Sequence, residues 1–395
     1  MKPGSWSSIA SIFLFGVLGA STVSKLVPLG ADIAARFGTS AADFGWLISL
    51  LGFTALVLAI PSGLLVDRFG PRRVFTASVL LGMAANLIYY FAPAYTWMQA
   101  ARLVEGVAIA HLYTAAPAFL MGTSEGPRRA TAMTIWASYM PVGTAVGLLL
   151  AGYFAGGPQW RQTFLVHGAL FAAVGLLNLR QPTLASSDAA RLPGLVERLR
   201  GLRLAYSRPP LLLLAMAFFL MISVGFGANT TFPGYLARLH ELPVNVTANA
   251  IALGTLLMVP GSLGVGALLA RGVRIGPVFT VLGVLGAASG ALAFQSGLDV
   301  PARMAVVAVW FVVSGASLAA LMATLPRVAE PERRGAAAAL MNQAGASATF
   351  LNPPLWLSLA AAGRGLPFAI LMVGAWLVAV ALIWGVTGTE AGKPK

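Results

Sequence analysis

The sequence predicts an all-α membrane protein, twelve transmembrane helices in two pseudo-symmetric six-helix bundles, on three observations: composition, the spacing of apolar runs and an internal repeat. Of 395 residues, 58% are hydrophobic and 10% are charged, against roughly 45–50% and about 25% in a soluble domain. Water is therefore a poor main solvent for this chain. A helix needs roughly 20 apolar residues to cross the hydrocarbon layer. Runs of that kind are centred near Gly16, Ala55, Gly82, Ile109, Gly143, Ala172, Ser223, Gly254, Leu285, Phe311, Gly345 and Gly374. A single long gap, Gln181 to Pro210, separates the sixth run from the seventh. It divides the chain into a bundle at 1–180, a linker at 181–209 and a bundle at 210–395. The repeat is an E-x-x-R-R element, Glu125 to Arg129 after the fourth run and Glu330 to Arg334 after the tenth, with Gly70-Pro71 echoed by Gly276-Pro277 at a similar offset. Duplicated halves of this kind commonly hold their solute at the interface between them.

Each element has its own signal. The first run, Ile9 to Leu29, is too long for a secretory signal and lacks a small-residue cleavage pattern, so it is the first span. Ser40 followed by Asp43 makes a capping box that opens the second span. Pro61, Pro141, Pro260 and Pro326 interrupt or end apolar runs and predict kinks, because proline removes a backbone donor. The fifth span carries Gly143, Gly147 and Gly152, and the eighth Gly261, Gly264 and Gly266; small residues allow close helix approach in lipid. In the linker, Leu195, Val196, Leu199, Leu202 and Leu204 alternate with Arg198, Arg200 and Arg203. That spacing fits either a helix lying on the membrane surface or a basic linker without fixed structure.

Charge and motif absences exclude several functions. The net charge of +14 is concentrated in alternate loops, as the cytoplasmic excess of Lys and Arg in membrane proteins requires. It places both termini in the cytoplasm of a multi-pass inner-membrane protein and argues against nucleic acid as a partner. With no cysteine, disulfides and thiol chemistry are excluded. No phosphate loop of the G-x-x-x-x-G-K-[ST] type is present, and no H-E-x-x-H or G-x-S-x-G, so neither ATP hydrolysis nor enzymatic catalysis is expected. No cofactor and no metal is expected, and a monomer suffices to enclose a cavity.

After the second run the chain reads Gly63-Leu-Leu-Val-Asp67-Arg68-Phe-Gly70-Pro-Arg72-Arg73, and in the fourth Arg102-Leu-Val-Glu105-Gly106. These resemble the G-x-x-x-D-R-x-G-x-R-R signature and the R-x-x-Q-G element of the major facilitator superfamily, with Glu105 in place of glutamine. The resemblance spans the full length. It implies secondary transport by alternating access and a cytoplasmic gate built from Gly63, Asp67, Arg68, Gly70, Arg72, Arg73, Glu125 and Arg128. The glycines would serve the turn and close approach, and Arg72 and Arg73 would meet Glu125. The antiporter pattern of the family is met only in part, since Pro141-Val-Gly143 stands where a G-P pair is usual.

Ionisable groups inside a span are expensive, about 2.5–3.5 kcal/mol at the bilayer centre, and usually mark a function. Lys25, Arg102 and Glu105 are such groups. Two cations against one acid favour a small organic anion such as a carboxylate, bound by Lys25, Thr22 and Arg102; alternatively Arg102 and Glu105 neutralise each other and Lys25 reaches for the interface. Glu105 first and His111 second are the candidates for proton coupling. Tyr113, Tyr139 and Phe226, with Asn229, Asn342 and Gln343, are candidates for the wall of a solute pocket, or else pack helices together. The runner-up expectation is a proton antiporter exporting drugs, siderophores or other amphiphiles.

Overall fold

A computed structural model of the chain describes residues 1–182, 206–295, 297–329, 334–363 and 365–391 and the single positions 196, 200 and 203. At 59, 60, 63, 64, 67, 126, 127, 129, 130, 134, 137, 334–336 and 388–391 it describes the backbone alone. Every regular element among the described residues is helical. The order is α1 (Trp6–Ser24), a 3-10 turn (Val27–Leu29), α2 (Gly30–Phe37), α3 (Ala41–Phe69), α4 (Pro71–Phe91), α5 (Tyr95–Thr123), α6 (Gly126–Ala137), α7 (Tyr139–Phe154) and α8 (Gln162–Asn178). After the linker come α9 (Pro209–Leu239), α10 (Val244–Leu256), α11 (Met258–Ala270), α12 (Ile275–Ala293), α13 (Val300–Val328), α14 (Arg334–Ala361) and α15 (Gly365–Ala391).

The centre of each predicted run falls inside one of these helices. By length and apolarity, however, nine segments qualify as membrane-crossing among the described residues, and α7 and α8 are shorter apolar helices. The third predicted run outside the nine is α14, whereas α10 and α11 together make one of them. Two of the predicted runs are broken by proline. Pro141 has no N–H for the Ala137 carbonyl, so α6 stops at Ala137 and α7 begins separately. Pro260 stands in the same relation to Leu256, where α10 gives way to α11. The two breaks meet, for Thr255 Oγ1 donates to the Pro141 carbonyl at 3.4 Å. Pro61 and Pro326, by contrast, lie within continuous helices.

The predicted capping box is formed: Ser40 N donates to Asp43 Oδ2 at 2.9 Å and Asp43 N to Ser40 Oγ at 3.1 Å. Gly70 takes a φ of 76° between α3 and α4, a left-handed conformation that a side chain would resist. The spaced glycines divide by use. A Cβ at Gly147 would strike the backbone of Ser21 on α1, and one at Gly261 the backbone of Val312 on α13, whereas Gly264 and Gly266 face nothing within 4 Å.

Among the first eight helices, α1 packs on α7, α3 on α5, and α4 on α5 and α8. Among the rest, α9 packs on α14 and α15, α11 on α13, and α12 on α13 and α15. The largest contacts between the two sets are α3 with α14 and α7 with α10. Of the linker, residues 181, 182 and 206–209 are described, and the candidate surface helix lies outside the described residues except at positions 196, 200 and 203, as does the second E-x-x-R-R element apart from the Arg334 backbone.

Candidate functional site

Between the two sets of helices lies a cavity of about 580 Å³, within the usual size of a small-molecule site. One wall comes from α1, α3, α5, α6 and α7 and the other from α9, α11, α13 and α14. Its chemistry is apolar and aromatic. Trp136 and Tyr139 are stacked with ring centroids 4.3 Å apart, and Tyr113 lies 5.1 Å from Tyr139. Phe226, Asn229 and Asn342 face them from the second set. Among the described residues no lining side chain is charged. Three lining groups, Tyr113 Oη, Asn229 Oδ1 and Ser314 Oγ, are buried without a hydrogen-bond partner. An unpaired buried polar atom costs about 1–3 kcal/mol, which a solute with matching polar atoms would relieve.

The cavity is shut at the end of the bundle that holds α2. There α3 and α14 approach so closely that a Cβ on Gly45 would touch the Pro354 backbone and one on Gly52 would fall 2.6 Å from Phe350 N. Trp46 and Phe53 flank the Phe350 ring at 6.0 and 5.6 Å. On the other side Gly152 of α7 meets Ala248 of α10, a Cβ there falling 3.2 Å from that methyl.

Lys25, Arg102 and Glu105 are brought together, but not in the cavity. All three are fully buried and none lines it. The Lys25 ammonium is ion-paired with Glu105 Oε1, donates to Asn86 Oδ1 at 2.7 Å and lies 3.1 Å from His167 Nδ1. Arg102 holds Glu105 Oε2 at 2.9 Å and the Thr22 carbonyl at 2.8 Å. Tyr89 donates its hydroxyl to Glu105 Oε2 at 3.1 Å, and its ring and that of Phe164 lie 4.9 and 5.5 Å from the ammonium. The anion expectation rested on Lys25 and Arg102 facing the solute; a carboxylate and helix carbonyls occupy them instead.

The remaining candidates are placed as follows. Thr22 Oγ1 donates to Leu18 O at 3.1 Å, away from the cavity. Gln343 lies outside the lining and accepts from the Tyr206 hydroxyl at 2.9 Å. His111 pairs with Ser62 at 2.9 Å and does not line the cavity. In the gate motif, the side chains of Gly63 and Asp67 lie outside the described residues. Arg68 lies over Phe69 and Arg128 over Trp6. Among the described residues no ion pair joins Arg72 or Arg73 to Glu125. Arg72 instead donates to the Leu179 carbonyl at 2.7 Å, because the start of α4 lies beside the end of α8, where free carbonyls attract a cation. Sequence reading missed Asn86, Tyr89 and His167. Their one legible signal was polarity inside an apolar run.

A lipid-embedded helical bundle with a solute-sized chamber between two sets of helices defines a membrane transporter. The family model of the Major Facilitator Superfamily matches residues 8–353, and the chain belongs to that family. It carries a solute across a membrane by secondary transport. Among solved structures, a bacterial homologue of the human lysosomal transporter Spinster, in an inward-facing and occupied conformation, superposes with a TM-score of 0.79 at 16% identity, covering 98% of both chains. The nucleoside transporter NupG superposes with a TM-score of 0.74 at 14% identity, covering 96% of this chain and 99% of its own.

Proposed function

We propose that the protein is a proton-coupled transporter of a neutral or cationic amphiphile, working as an antiporter in the cell inner membrane with both termini in the cytoplasm. The supporting observation is the cavity wall: aromatic faces, two amides and, among the described residues, no charged side chain. Aromatic faces attract a desolvated cation, and Asn229 Oδ1 accepts a donor from the solute. An anion would find no cation in the wall. The closed packing of α3 on α14 and α7 on α10 at the α2 end is one state of alternating access, in which rearrangement of the two sets exposes the cavity to the other side. The gate motif residues around Gly70 serve that rearrangement at the opposite end.

The test is a thermal-shift comparison of the purified protein with tetraphenylphosphonium and with benzoate, followed by flux of the binder into proteoliposomes under an imposed pH gradient. Stabilisation by the phosphonium alone, and flux that follows the gradient, is the expected result. Stabilisation by benzoate alone would restore the anion reading.

A further inference from the structure

Lys25 sits at a break in the first membrane-crossing stretch. α1 ends at Ser24, and a three-residue 3-10 turn separates it from α2. The Ser21 carbonyl still accepts from Lys25 N at 2.9 Å, and Arg102 binds the next one, that of Thr22, at 2.8 Å. A cation is favoured at a helix C-terminus, so Arg102 is accounted for by α1 and by Glu105.

Resting on the proton-coupled, cation-accepting reading above, we propose that Lys25 carries the coupling proton, that Glu105 is its fixed counter-charge, and that protonated Lys25 and a cationic solute in the cavity exclude each other. Three observations carry this. The first is charge. With Lys25 as ammonium, the buried cluster holds two cations and one carboxylate, a net single positive charge. Releasing the Lys25 proton leaves a neutral Arg102–Glu105 pair with its contacts intact. Protonating Glu105 instead leaves two buried like charges, and Coulomb energies grow as the dielectric falls. The proton that comes and goes at least cost is therefore on Lys25.

The second is hydrogen-bond direction. The Ser21 hydroxyl donates to Leu18 O at 2.7 Å, so its oxygen accepts from His167 Nε2–H at 2.7 Å. In that tautomer His167 Nδ1 holds a lone pair, 3.1 Å from Lys25 Nζ, with Asn86 Oδ1 3.2 Å away as a second polar neighbour. The Asn86 amide donates to Gly82 O at 2.7 Å, which turns its oxygen to Lys25. The three ammonium donors thus meet three acceptors, Glu105, Asn86 and His167. The titratable and charged groups facing Lys25 are Tyr89 on α4, Arg102 and Glu105 on α5, and His167 on α8; α3 contributes the Ile48 carbonyl, toward Arg102.

The third is position. Val23 and Ser24, the residues just before Lys25, line the cavity, and among the described residues no lining side chain is negative. The net positive charge of the protonated cluster lies directly behind the wall, with nothing in the wall to offset it. A cation enters readily once the Lys25 Nζ–H bond has broken and its proton has passed to water on the open side. Exchange of one positive charge for the other is antiport.

The experiment measures tetraphenylphosphonium binding to the full chain in nanodiscs across pH, with proton release read by an indicator dye in weak buffer. Wild type should bind more tightly as pH rises and release a proton on binding. Lys25→Met should bind at every pH and release none. Release and pH dependence that persist in Lys25→Met would overturn the assignment to Lys25 and leave proton coupling standing. Wild-type binding without pH dependence would overturn the coupling and this inference together, and absence of wild-type binding would remove the cationic solute on which both rest. Should Lys25→Met not fold, the wild type serves. The sequence has four lysines, Lys2, Lys25, Lys393 and Lys395, so in protein labelled at lysine with 13C and 15N the buried one is resolvable. A shift of its signal from ammonium to amine on adding the phosphonium supports the proposal. A signal that stays ammonium with ligand bound overturns it.

Discussion

At Lys25, Arg102 and Glu105, removing a negative and removing a positive charge are not equivalent. Glu105→Gln leaves two cations buried without a counter-charge, and breaking a buried pair in this way costs about 3–5 kcal/mol. Lys25→Met leaves Arg102 paired with Glu105 and should cost less, though Asn86 and His167 lose a donor. Denaturant unfolding of the two purified variants should rank Glu105→Gln as the weaker; the reverse order would contradict the charge arrangement. A second residue-scale prediction concerns His240, just past the end of α9. Arg303 Nε donates to its Nε2 at 2.8 Å, so the ring is held neutral. Burial, then the neighbouring Arg303, lowers its pKa below the usual 6.5, against a smaller opposing pull from Asp299. The unfolded chain therefore takes up the proton first as pH falls. The stabilisation is complete above pH 6.5 and is lost as pH falls below it. Unfolding measured across that range should show the decline in wild type and a flatter profile in His240→Gln. The sequence made Lys25, Arg102 and Glu105 legible, because charges in apolar runs stand out. It could not pair them with Asn86 and His167, since partners on other helices depend on how each helix is rotated in the bundle.

At the scale of elements, the proline breaks and the capping box were legible because they follow from local chemistry. Pro141 and Pro260 end a helix four residues upstream, where a carbonyl loses its donor. Pro61 and Pro326 lie in helices that continue through them, a difference that local sequence does not encode. The approach of α3 to α14 was equally hidden, since Gly45 and Gly52 read as ordinary small residues. Their function is testable. A side chain at Gly52 would fall 2.6 Å from the Phe350 backbone nitrogen, closer than packing allows, so Gly52→Leu should disfavour the state closed at the α2 end. The sequence contains no cysteine, so a single Ala55→Cys in the cavity wall reports accessibility cleanly. An impermeant thiol reagent added from the α2 side should label it faster in the Gly52→Leu background, and equal rates would contradict a seal made by these helices.

For the whole molecule, composition and apolar spacing were enough to predict a membrane-spanning helical bundle, and the Gly63 to Arg73 motif was enough to suggest the family. What they could not supply was which polar groups face the chamber. Two cations in the sequence suggested a site for an anion; the fold buries both outside the chamber lining and leaves aromatic rings and amides in the wall. The claim that this chamber is the solute site is tested most directly by filling it. Gly225 lines the cavity with nothing within 4 Å of an added Cβ, and Gly264, outside the cavity, is equally unobstructed. Tetraphenylphosphonium binding should be lost in Gly225→Trp and kept in Gly264→Leu. Equal binding by both variants would contradict the placement of the solute between the two sets of helices.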